Sequence, residues 1–215
     1  MKRLLREIAY DLREPGFHLW IILPAALLFL LVAQLIQQAL DASGRINVLT
    51  LALLEALIPT LGGYGAVMLM QGLLDTEGGE IAFTYKRSLL YWGLIRQLRF
   101  FILFALLVAM VCAGVASIMR INFPQLFALT LAQSFAVMGI AFLGITMSRK
   151  TEIGLIVLIA FVTIQMSLGR EYPVVNQIYV LDGAVPSIEQ SSFIVYKSVP
   201  IGAFGWGIGQ VWLRP

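Results

Sequence analysis

The chain has 215 residues, 60% of them hydrophobic and 13% charged, with a net charge of +3. A water-soluble domain sits nearer half apolar and a quarter charged, so a compact soluble fold is excluded as the home for this much oily surface. A nucleic-acid partner is also excluded as a primary role, because the basic residues are scattered over loops and form no basic face on a soluble module.

The chain begins with an amphipathic stretch. Over residues 1–16, Leu4, Leu5, Ile8 and Leu12 share one helical face, and Arg3, Arg6, Tyr10 and Arg13 the opposite one. That pattern predicts a helix lying in the membrane interface, ended by Pro15-Gly16. A removable signal peptide is not expected, since the following apolar run is too long for its hydrophobic region. That run, 17–40, predicts the first span, with Trp20 as a belt residue and Pro24 as a bend. His18, the only histidine, is expected to anchor the same interface, and with no second ligand nearby it predicts no metal site.

A short turn, Asp41 to Arg45, leads to a second predicted span over 48–74, which carries Glu55, Pro59 and the stretch LGGYGA. Residues 75–99 read as the longest charged loop, with short amphipathic helices in it. Further spans are predicted over 100–118, 125–147, 152–168 and 193–213, with polar, turn-forming residues 170–191 as interfacial or re-entrant pieces before the last. The expected fold is thus an all-α polytopic membrane protein with six transmembrane helices of about 20 residues each. Cys112, the only cysteine, lies in an apolar run, so no disulfide within the chain and no cysteine-based metal site is possible.

Orientation follows from the basic residues. Lys2, Arg3, Arg6, Arg13, Lys86, Arg87, Arg96, Arg99, Arg149, Lys150 and Arg214 fall on one side of this layout; Arg45, Arg120, Arg170 and Lys197 fall on the other. The positive-inside rule places both termini in the cytoplasm, in a cell inner or plasma membrane.

Glu55 is the only acidic residue well inside a predicted span, which makes it a candidate for lining a translocation path or for sitting at the outer interface. Gly62, Gly63, Gly65 and Ala66, and the pair Gly205 and Gly209, suit close helix packing, within one subunit or across a dimer. Gln34, Gln71, Gln133 and Gln165 receive no role. Lys197 is expected to reach the outer headgroups, and Trp212 and Arg214 to anchor the last helix at the inner face.

Two stretches resemble the ABC type-2 export permeases. REPGFHLWIILPAALLFLL, from Arg13 to Leu31, is similar to that family's opening pattern. LLDTEGGEIAFTYKRSLLYWGLIRQLRFF, from Leu73 to Phe101, is similar to its cytoplasmic loop. The resemblance implies a dimer with a second copy or a homologous permease, and a coupling helix over 79–92 docking on a separate ABC ATPase subunit. Glu77, Gly79, Phe83, Lys86, Arg87 and Leu90 would make that contact. The chain has no Walker-type GxxxxGK[ST], so ATP and magnesium would be held by the partner and no enzyme activity is expected here. The competing readings are an ATPase-independent carrier or channel, an assembly or scaffold protein, and an intramembrane enzyme. The last lacks any visible nucleophile–base pair or metal set.

Overall fold

The computed structural model describes residues 46–74, 90–168, 178–179 and 187–213. Among these residues the chain is helical, with no strand. Five α-helices follow one another: α1 (Ile46–Leu74), α2 (Arg96–Met119), α3 (Phe123–Ser148), α4 (Thr151–Leu168) and α5 (Ile188–Trp212). A π-helical turn, Tyr91–Ile95, runs directly into α2. The predicted first span, the interfacial helix of 1–16, most of the 79–92 segment and most of 170–191 lie outside the described residues.

Three stretches are long and apolar enough to cross a bilayer: Leu54–Leu74, Tyr91–Ser117 and Phe123–Ser148. Thr151–Ser167 is a shorter apolar helix. A chain that places such helices side by side is a membrane-embedded helical protein.

The helix ends have local causes. Asn122 is extended at the N-cap of α3, with Pro124 in the first turn, where its missing N–H costs nothing. Ser187 and Gln190 form a reciprocal capping box that starts α5. That box places the helix start at Ile188, ahead of the expected 193. Arg120 and Arg149 end α2 and α3 in the left-handed conformation, each at φ 55°. Each turns its N–H back onto a carbonyl of the last helical turn, Ala116 and Ile145 respectively.

Residues 96–99, the end of the segment read above as a charged loop with short amphipathic helices, are helical and continuous with the helix that carries Phe100. YWGLIRQLRF contains no proline and only one glycine. Gly93 is absorbed by the π turn, and Arg96 is 2% exposed, so its charge did not keep it in solvent.

α3 lies at the centre and touches every other described helix. Glycine positions give the directions. Gly63 of α1 lies against Leu158 of α4, and Gly154 of α4 against Val67 of α1, so these two run antiparallel. Gly202 packs on Phe135 and Gly209 on Phe142, so α3 and α5 run parallel. Their crossing is backbone on backbone. A Cβ on Gly139 would come within 2.5 Å of the Gly202 carbonyl oxygen, and one on Gly205 within 2.5 Å of the Gly139 carbonyl. Small residues at such crossings gain packing that Leu-on-lipid contact does not provide. Phe101, Phe135 and Trp206 fill the rest of the junction between α2, α3 and α5, with ring centroids 4.8 to 5.7 Å apart.

Three hydroxyls along α3 are satisfied locally. Thr130 donates to the Leu126 carbonyl at 2.9 Å, Ser134 to Thr130 at 2.7 Å and Thr146 to Phe142 at 2.8 Å. This i−4 bonding hides a hydroxyl from hydrocarbon without a second helix.

Candidate functional site

Two polar centres interrupt the apolar core, one near each end of α1. The first is built on Glu55. It lies in the third turn of α1 and is 7% exposed. Four residues on stands Pro59, which has no N–H to offer the Glu55 carbonyl, so the helix is weakened at this level. α3 runs beside α1 and brings Gln133 to the carboxylate. The Gln133 Nε2 donates to Glu55 Oε1 at 2.5 Å and to the Ile178 carbonyl oxygen at 2.6 Å. One amide thus ties α1, α3 and the short piece Ile178–Tyr179 together.

The pairing is chemically sensible. A primary amide has two donors, and here they meet two acceptors, one of them a carboxylate. A charge-assisted bond of this kind is stronger than a neutral one, and in surroundings of low polarity it is worth more again. Burial pushes the Tyr179 phenol above its ordinary range, and the Glu55 carboxylate adds to the shift. The Tyr179 hydroxyl and the Gln133 Oε1 are buried with no hydrogen-bond partner. Gln165 lies two turns beyond Leu158 on antiparallel α4. Since Leu158 packs at Gly63, Gln165 is level with Glu55, and its Oε1 is also buried without a partner.

The second centre surrounds the π turn. Arg96 and Gln97 are both buried. The Gln97 Nε2 donates to the Ala66 carbonyl of α1 at 2.8 Å. A π turn withdraws backbone groups from the regular ladder. Here the Leu94 N–H donates to Oε1 of Gln210 on α5 at 2.7 Å. Gly93 leaves room for this bond, because a Cβ there would displace the same Gln210 oxygen. The Arg99 guanidinium lies 5.0 Å from the centre of the Tyr91 ring.

The structure sorts the sequence candidates. Glu55 is inside the bundle and is bonded across it. Gly62 faces Phe104 and Met138, Gly65 is buried, and Ala66 is fully buried with its carbonyl in use. Gly205 and Gly209 face α3 of the same chain. Leu90 is exposed and stands immediately before the π turn. Lys197 lies over the Phe193 ring, 4.4 Å from its centre. Cys112 is a buried free thiol. Glu77, Gly79, Phe83, Lys86 and Arg87, like His18, lie outside the described residues. Among the described residues no group of three His, Cys, Asp or Glu could hold a metal ion.

Gln133, Ile178 and Tyr179 had no role in the sequence reading. A polar residue facing the core of a long apolar helix was the one available signal for Gln133. Its partner lies 78 positions away, and no local pattern links them.

Comparison with known proteins leaves this arrangement on its own, since no family description, curated protein or solved structure matches the chain.

Proposed function

We propose that the chain is the membrane subunit of an ATP-driven exporter of the ABC type-2 kind, with six spans and both ends in the cytoplasm. It works as a dimer and docks through its 79–92 segment on a separate ATPase that carries ATP and magnesium. The reading rests on the resemblance of the two quoted stretches and on one structural observation. The helix that leaves the segment at Leu90 runs without a break through the π turn into α2. It is keyed there to α1 through Gln97 and to α5 through Gln210. A push delivered at Leu90 would therefore reach three helices. In the same reading Glu55 and Gln133 contribute polar groups to the far end of the path.

Affinity purification of the tagged chain from its native membrane tests the proposal. An ATPase with a Walker motif is expected to come with it, and to be lost with Lys86→Glu/Arg87→Glu or Gly79→Leu while the variants remain membrane-inserted. Transport by the purified chain in vesicles lacking any ATPase would overturn the proposal in favour of an independent carrier or channel. Assembly into another complex without nucleotide-driven flux would favour a scaffold.

A further inference from the structure

We propose that the outward face of α2 holds one anionic phospholipid, with the phosphate on Arg99 and an acyl chain along the helix. The proposal goes beyond the exporter reading and does not depend on it. Leu98, Ile102, Leu106 and Met110 recur at helical spacing and are all exposed, from 45% at Leu98 to 68% at Met110. They form one continuous apolar strip. At helical rise the strip runs about 18 Å, close to the roughly 15 Å depth of one bilayer leaflet.

The charge stands at the head end of the strip. Arg99 falls on the same face, and its guanidinium lies 5.0 Å from the centre of the Tyr91 ring. Tyr91 is two turns nearer the start of the helix, so the arginine is drawn back along the helix and away from the apolar strip. The ring is itself braced, since Trp92 meets it edge-on with centroids 6.0 Å apart and planes at 89°. Tyrosine and tryptophan at the end of an apolar helix suit the level of the headgroups. A guanidinium already held on an aromatic shelf loses little freedom on meeting a phosphate, to which it offers two parallel donors.

Two occupants compete for such a face, a lipid and a second copy of the chain. Where helices of this protein cross most closely, they do so through Gly139, Gly202 and Gly205, at backbone contact. The strip presents long side chains at its four outermost positions. These keep a neighbouring backbone at a distance and suit a flexible acyl chain, and Leu or Met gains nothing from a helix that lipid does not supply. The arginine then decides between lipids, because its charge is complementary to a net negative headgroup and not to a zwitterion.

The test is native mass spectrometry of the purified full-length chain in detergent, with phosphatidylglycerol or phosphatidylcholine of the same acyl chains added. No ATPase is present, so failure here leaves the exporter reading standing, and failure to capture an ATPase leaves this proposal standing. One phosphatidylglycerol per chain is expected to be retained in preference to phosphatidylcholine. Arg99→Gln should weaken retention of phosphatidylglycerol by about fivefold and leave phosphatidylcholine unchanged. Leu106→Asn should weaken both, and Arg120→Gln, at the opposite end of α2, should change neither. Thermal melts without lipid report folding separately. If Arg99→Gln does not fold, the preference of the wild-type chain and the Leu106→Asn variant carry the test. Equal retention of the two lipids by the wild-type chain overturns the proposal. An equal loss in Arg120→Gln also overturns it, since diffuse attraction between charges would then suffice. Disulfide cross-linking between copies through Leu106→Cys, in a Cys112→Ala background, would put a second chain on this face and overturn the choice of occupant.

Discussion

α5 and α2 both pack on the central helix α3, but they do so in opposite ways. α5 meets α3 at Gly139, Gly202, Gly205 and Gly209, with the two backbones nearly in contact. α2 meets the bundle through side chains such as Phe100, Phe104 and Val108, and turns Ile102, Leu106 and Met110 outward at 55, 61 and 68% exposure. A seam of backbone on backbone has one good register, because any shift drives a carbonyl into a Cα. A seam of flexible apolar side chains can repack. The comparison identifies α3–α5 as the fixed element and α2 as the helix able to shift, which is the helix that continues from the 79–92 segment.

The largest effect should come from breaking the fixed seam. Gly205→Leu or Gly139→Leu forces a side chain into a backbone carbonyl, and destabilisation of about 3 kcal/mol or more is expected. The same change at Gly114 or Gly207, where nothing lies within 4 Å, should move stability by no more than about 0.5 kcal/mol. Thermal melts of the four variants in detergent check this. Equal losses at all four would mean that the glycines matter for helix propensity and not for the seam.

Next in size is the Glu55 centre. Gln133→Leu removes the donor shared by a buried carboxylate and a buried carbonyl, and a loss of about 2–4 kcal/mol is expected. Glu55→Gln keeps a hydrogen-bonding group in place and should cost less. If Gln133→Leu and Glu55→Gln proved additive in a double-mutant cycle, the two side chains would not be coupled and the bond across α1 and α3 would be refuted.

The π-turn keys come third. Gln210→Leu leaves the Leu94 N–H unmet beside a buried turn and should cost about 1–3 kcal/mol. Gln97→Leu should cost about 1 kcal/mol, because the Ala66 carbonyl still has its place in the α1 ladder. Hydrogen exchange at residues 91–97 distinguishes the two. Gln210→Leu should raise exchange there, and an unchanged rate would show that the turn holds without α5.

These expectations also mark how far the sequence could be read. The helices α1, α3 and α4 follow from apolar length and from residues such as Asn122, Pro124, Arg149 and Lys150 at the turns, and each covers one of the apolar runs read from the sequence. That the helix of α2 continues back through Arg96 and Arg99 was not legible, because both look like solvent residues. Nothing local reveals that Arg96 is buried. Gly205 was legible as a close-packing residue, but its partner Gly139 was not, since pairing depends on which helix comes alongside. Gln133 stayed silent for the same reason. Local chemistry writes helix, span and cap into the chain, whereas a bond between α1 and α3 exists only once the bundle has assembled.

The smallest effect tests the link between the fixed pair and its neighbours. Arg149 ends α3 at φ 55°, a conformation that costs an L-residue about 1–2 kcal/mol relative to glycine. Arg149→Gly relieves that strain but gives the unfolded chain more freedom, so the two terms partly cancel. The change also removes interactions that the Arg149 side chain makes, so a net shift within about 1 kcal/mol is expected, read as a small change in melting temperature. A marked loss would mean that those side-chain interactions outweigh the backbone strain in holding the α3–α4 turn. The rigidity of the central helix would then depend on that charged end as well as on its glycines.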